Sequence, residues 1–155
     1  MPYRMHSQYL RRLFLGNDLA GGRFEARGKR IALSDIRIPL FGVGTLRDHV
    51  APWRSVYKAG LYCDADFTFL LASGGHNAGI VNPPGRAGSS YQVGTRREGE
   101  PYVDPDTWAA QTPRQAGSWW PEWQRWLAER SGAPLEPPVA VPALAPAPGH
   151  YVLQR

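Results

Sequence analysis

Residues 38–53, IPLFGVGTLRDHVAPW, and residues 67–79, FTFLLASGGHNAG, decide how this chain of 155 residues folds. Ile38 to Val43 is short and almost continuously apolar, as expected of a strand buried on both faces in a parallel sheet. Pro39 belongs at its start, where no ladder donor is needed. Gly44 to Ala51 reads as a loop. Pro52 then opens a helix to about Tyr62, because proline suits the first helical turn. Phe67 to Leu71 is a second buried strand, Ser73-Gly74-Gly75-His76 is its loop, and a short helix starts near Asn77. Strand, helix, strand at this spacing is a βαβ unit, with a right-handed crossover and parallel strands. Both loops then lie at the C-terminal edge of the sheet, where open α/β sheets bind ligands. Asp48 is in the first loop and His76 in the second, so the two are expected to be neighbours in space.

Outside this unit the signals are weaker. Arg4 to Leu15 predicts a helix with Leu10, Leu13 and Phe14 on one face, ended by Asn17 and Gly21-Gly22. Arg23-Phe24-Glu25-Ala26 and Arg30-Ile31-Ala32-Leu33 read as a hairpin around Arg27-Gly28-Lys29. After Asn82 the chain turns irregular, with a weak strand near Tyr91 and a short helix start at Asp104. Trp119 to about Arg130 is a clearer helix, with Ser118 as a candidate cap, Pro121 in the first turn and Gly132 past the end. Trp108, Trp119, Trp120, Trp123 and Trp126 read as an aromatic cluster that packs this helix on the core. Residues 1–132 are expected to form one folded unit. Residues 133–155 are Ala/Pro-rich and read as an extended or disordered tail.

Composition narrows the function classes. The net charge is +5 and the arginines are scattered, with no concentrated basic face for nucleic acid. One cysteine, Cys63, excludes an intrachain disulfide and suits a reducing compartment. No stretch is apolar for long enough to span a bilayer, and residues 1–6 lack the apolar core of a signal peptide. The expectation is a cytoplasmic protein. His49, His76 and Cys63 lack metal-ligand spacing, so no metal and no cofactor are expected.

Two residues carry the chemistry. Asp48 alone reads better as a turn aspartate satisfying loop donors, and His76 alone can be read as a structural loop histidine. Together, at matched strand ends, they read as the acid and the base of a nucleophilic hydrolase or acyltransferase. In α/β-hydrolases the chain order is nucleophile, acid, histidine, so a Gly-x-Ser/Cys-x-Gly elbow belongs before Asp48. The chain contains no such pattern, and Cys63, without flanking glycines, reads as an ordinary buried cysteine. No residue stands out for substrate binding.

The segments SDIRIPLFGVGTLRDHVAPWRSVYK (34–58), FTFLLASGGHNAGIVNPPG (67–85) and GSWWPEWQRWL (117–127) resemble the C-terminal region of class I poly(3-hydroxyalkanoate) synthases. MPYRMHSQYLRRLFLGNDLAGGRF (1–24) resembles the segment just before it. The likeness runs in order from Met1 to about Ser131. It implies the C-terminal portion of an α/β-hydrolase fold with an incomplete sheet. It also implies an acyltransferase that polymerises 3-hydroxyacyl-CoA into polyester and releases CoA, with the polyester granule as a partner. By resemblance His76 is the base that activates a cysteine, and Asp48 orients His76 or helps activate the incoming 3-hydroxyl. His49 follows the family pattern without a defined role. The family's cysteine box falls outside this chain, so the chain is expected to be a fragment, inactive alone, that pairs with an N-terminal synthase fragment or a full-length synthase. Two other readings remain: a non-catalytic remnant or accessory subunit, and the C-terminal half of another α/β-hydrolase such as an esterase.

Overall fold

The computed structural model describes residues 1–138 and 145–154. The chain enters through α1 (Tyr3–Gln8), which runs directly into a π-helical stretch, Tyr9–Leu15. The expected single α-helix is thus split between two hydrogen-bonding patterns. Its apolar side is not buried: no residue of either stretch is in the core, and Phe14 is 78% exposed. Asp18 holds the segment's end, accepting from Arg12 and Arg23. The hairpin follows as β1 (Phe24–Ala26) and β2 (Lys29–Ile31), paired antiparallel.

The two strands of the expected βαβ unit form and pair in parallel, the first running on through Gly44 and Thr45, which were expected in the loop. β3 (Leu40–Thr45) starts just after Pro39 and pairs in parallel with β4 (Phe67–Ala72), from Leu40 opposite Phe67 to Thr45 opposite Ala72. The crossover is not one helix over 52–62. It breaks at Lys58 into α2 (Trp53–Tyr57) and α3 (Ala59–Tyr62). Gly60 lies in the second piece, and glycine costs a helix interior about 1 kcal/mol.

The sheet is mixed rather than purely parallel. β5 (Ser90–Arg96), expected only as a weak strand, runs antiparallel along the whole of β4, and β6 (Arg114–Ala116) pairs antiparallel with β5. The order is β3-β4-β5-β6, which leaves β3 on an edge. Between β5 and β6 lies α4 (Pro105–Gln111), capped by Asp104, whose Oδ1 accepts from the amides of Asp106 and Thr107. The last helix is α5 (Trp120–Ala128). Ser118 Oγ accepts from the Trp120 amide at 3.1 Å, as a cap would.

Side chains alternate across β4 and build two cores. Phe67, Phe69 and Leu71 pack with Trp53 and Tyr57 on one face. Leu70 and Ala72 pack with Tyr91 and Trp119 on the other. The tryptophans therefore do not form one cluster: Trp108 packs against the first core, Trp119 and Trp120 against the second. In the first core Phe69 meets Tyr57 at 5.0 Å and Trp108 at 5.1 Å between ring centroids, both edge-on. Such pairs contribute about 0.5–1.5 kcal/mol each beyond the area they bury.

Of the tail expected over 133–155, residues 139–144 and Arg155 lie outside the described residues. The described part has no buried residue and makes a turn closed by the Gly149 amide on Pro146 O and a short 3-10 turn, Tyr151–Leu153. Among the described residues, no helix is long and apolar enough to cross a membrane.

Candidate acid–base site

The loops that leave β3 and β4 are stitched together beyond the strands. The Leu46 amide donates to Ala72 O at 2.9 Å and the Arg47 amide to Gly74 O at 2.8 Å. The parallel pairing ends at Thr45 and Ala72, and these two bonds carry both loops outward side by side. The Asp48 amide folds back to Thr45 O. The second loop turns at Gly74, whose φ of +113° favours glycine. The short helix expected near Asn77 does not form; a hydrogen-bonded turn takes its place, with the Gly79 amide on Gly75 O and the Val81 amide on Asn77 O.

Asp48 and His76 meet across this junction, with 2.9 Å between Asp48 Oδ2 and His76 Nδ1. The expectation that they are neighbours is met. The turn-aspartate reading of Asp48 holds as well, through its other oxygen. Oδ1 accepts from the amides of Val50 at 2.8 Å and Ala51 at 2.9 Å. The Asp48 side chain is 8% exposed, whereas that of His76 is 47% exposed. The Ala51 amide, and next His76, hold the Asp48 carboxyl well below its ordinary range, at about 2. An ionised carboxylate only accepts, so His76 Nδ1 carries the hydrogen it donates, and in the neutral imidazole Nε2 is then the acceptor. A half-exposed imidazole with an acceptor nitrogen and a fixed carboxylate behind it can take a proton from a group approaching from outside.

The other candidates lie elsewhere. His49 is exposed. Cys63 is 6% exposed and precedes β4, at the opposite end of the strand from His76. Burial pushes its thiol up, away from the reactive thiolate. An aromatic-lined cavity of about 160 Å³ between Tyr57, Phe67, Phe69 and Trp108 also lies toward that far end, so it does not serve the pair.

Sequence reasoning missed the residues that brace the histidine turn. Five consecutive carbonyls, Ala78 to Asn82, each accept from a side chain. Arg86 donates to Ala78 O and Val81 O, Trp119 Nε1 to Gly79 O, Trp120 Nε1 to Ile80 O, and Ser118 Oγ to Asn82 O. The only hint in the sequence was the run Ser118-Trp119-Trp120, which reads as a cap followed by apolar bulk.

A mixed α/β sheet with a carboxylate–imidazole pair on two adjacent parallel strand ends is the class that fold and site define. No family model matches the chain. Individual relatives do. The whole chain is 38% identical to the poly(3-hydroxyalkanoate) polymerase subunit PhaC of Rhizobium meliloti (strain 1021), over 25% of that protein. It is likewise 38% identical to the poly(3-hydroxyalkanoate) polymerase of Methylorubrum extorquens, over 26% of it. Against the PhaC subunit of Cupriavidus necator, identity is 32% over 98% of the chain and 26% of the relative. The chain spans about a quarter of the length of these relatives. It belongs with the C-terminal part of the poly(3-hydroxyalkanoate) polymerases.

Proposed function

We propose that this chain is the C-terminal, acid–base part of a poly(3-hydroxyalkanoate) polymerase of α/β-hydrolase fold, acting in the cytoplasm. Residues 1–132 are the catalytic portion and 133–155 a separate tail. The observation that carries the reading is the 2.9 Å contact between His76 Nδ1 and Asp48 Oδ2 at the ends of two parallel strands. The nucleophile is a cysteine thiol outside this chain, since no Gly-x-Cys-x-Gly elbow lies within it.

His76 Nε2 takes the thiol proton, and the thiolate attacks the thioester carbonyl of 3-hydroxyacyl-CoA. The C–S bond to coenzyme A breaks, and the imidazolium returns its proton to the leaving thiolate. His76 then takes the proton of a second unit's 3-hydroxyl as that oxygen attacks the bound acyl group. An ester bond forms and the cysteine is released. Asp48 keeps the Nδ1–H tautomer and stabilises the imidazolium. Both its oxygens are engaged, by two amides and by His76. This favours the orienting role over direct contact with the 3-hydroxyl.

The test is complementation. The chain is mixed with an N-terminal polymerase fragment bearing the cysteine elbow, and CoA release from 3-hydroxybutyryl-CoA is measured. Neither half alone is expected to turn over. The mixture is expected to release CoA, and His76→Ala should lower the rate by about a thousandfold or more. Turnover indifferent to His76→Ala would overturn the reading. A complex that forms but stays inert would favour the second reading, an accessory piece that only binds a partner. That reading draws support from the open apolar side chains of Tyr3, Leu10, Phe14 and Leu15.

A further inference from the structure

We infer that Trp119 is a positioning residue for His76: its indole N–H, bonded to Gly79 O, fixes the turn that presents the imidazole to Asp48. The inference deepens the proposed role of His76 and rests on it. A single hydrogen-bonded turn is not stable by itself, and the carbonyls from Ala78 onward take no backbone amide within it. In the His76 turn those carbonyls are bonded from outside, and the start of α5 supplies three of the donors: Ser118, Trp119 and Trp120.

Trp119 has the strongest hold. It is 5% exposed, and its bond to Gly79 O is 2.9 Å long and buried. Removing a buried donor strands the acceptor and costs its desolvation. Gly79 is wedged on its other side as well. A Cβ there would come within 2.5 Å of Thr45 Cγ2, and a Cβ on Gly74 within 2.9 Å of Gly79 Cα. Thr45 is the buried last residue of β3, three positions before Asp48. A rigid path therefore runs from Trp119 through Gly79 to the ends of both strands, with His76 inside the turn that Gly79 closes. Loosening it lets His76 move relative to Asp48, and a displacement near 1 Å can cost about a hundredfold in rate.

The test reads the imidazole tautomer in the chain itself, through the ring nitrogen shifts detected from the carbon-bound ring protons by NMR, with the imidazole neutral. Wild type is expected as the Nδ1–H tautomer held by Asp48, and Asp48→Ala defines the released state. Trp119→Phe keeps the ring and removes the N–H. It is expected to shift His76 toward the Asp48→Ala values while the circular dichroism stays that of the folded chain. Trp126→Phe is the control. It alters the same helix, but the buried Trp126 Nε1 has no partner to lose, so His76 should not move. Should Trp119→Phe fail to fold, Trp120→Phe and Ser118→Ala carry the test, since each removes one donor from the same run of carbonyls. Folded donor-deletion variants with wild-type His76 shifts would overturn the inference, as would an equal shift in Trp126→Phe. The readout needs no turnover, so failed complementation leaves it standing, and unchanged His76 shifts leave the polymerase reading standing.

Discussion

Strands β3 and β4 each have six residues and run side by side in one parallel register. Yet β4 is buried at every position, whereas β3 is buried only at Gly44 and Thr45. Both sequences ask for the same cover. β4 receives it from β3, β5, α2 and Trp119, and among the described residues β3 has a neighbouring strand on one side only. Apolar sequence thus states what a strand needs, and its place in the sheet decides what it gets. The relatives are about four times longer than the chain. An open parallel edge with half-covered side chains is a site for association.

Stability should separate the two strands most sharply. Phe69→Ala removes a ring 1% exposed that packs on Trp53, Tyr57 and Trp108. It should cost about 3–5 kcal/mol in urea unfolding, the usual range for a buried phenylalanine. Val43→Ala, on half-covered β3, should cost about 1 kcal/mol. Equal costs would mean that β3 is better covered than its edge position implies.

Acid should act next, and from the β3 side. The folded Asp48 carboxyl lies at about 2, below its ordinary 3.8. Its contribution to stability is therefore complete above about pH 4 and is lost as pH falls toward 2. Asp66, Asp104 and Glu129 are also held low, each chiefly by a hydrogen bond, and lose their contributions in the same direction. Hydrogen exchange at low pH should rise first in the loop after β3, where Asp48 gathers the amides of Val50 and Ala51, and only later in β4. Asp48→Asn should flatten that early phase. Simultaneous loss in both strands would contradict it.

The smallest effect on stability, and the most direct probe of the open surface, comes from Ile38→Lys with Phe14→Ser. Both side chains are more than two-thirds exposed, at 69% and 78%. Such surface changes usually alter stability by less than about 0.5 kcal/mol. Light scattering should nevertheless show weaker self-association than in the wild-type chain. A wild-type chain that is monomeric at high concentration would mean this surface does not drive association.

What could be read in advance follows from how local each signal is. β3, β4, the hairpin and the meeting of Asp48 with His76 were legible, because apolar runs, glycine turns and crossover handedness are local or general rules. β5 was underestimated because its sequence, SYQVGTR, is half polar. Gln92 is buried there only because its amide donates to Ala109 O at 2.8 Å and Thr112 O at 2.6 Å, partners that no local pattern names. The helix expected over 4–15 suggested a buried face, but among the described residues neither Leu10 nor Phe14 is buried, and Phe14 is 78% exposed. The bracing of the histidine turn joins residues 40 apart, Trp119 to Gly79 and Trp120 to Ile80. An indole reads as apolar bulk until its N–H is seen to have a partner.

Cys63 has a consequence of a different kind. It is the chain's single thiol, buried between α3 and β4 with its ionisation disfavoured. A thiol in that position reacts only when the junction opens, so its labelling rate acts as a clock for local unfolding at the far end of the sheet. The clock should run slowly in the native chain and quicken when Phe69 is cut back. In a complemented enzyme it also separates two reactivities by time: an alkylating reagent that abolishes turnover within seconds, while Cys63 stays unmodified, will have found a sulfur on the other chain.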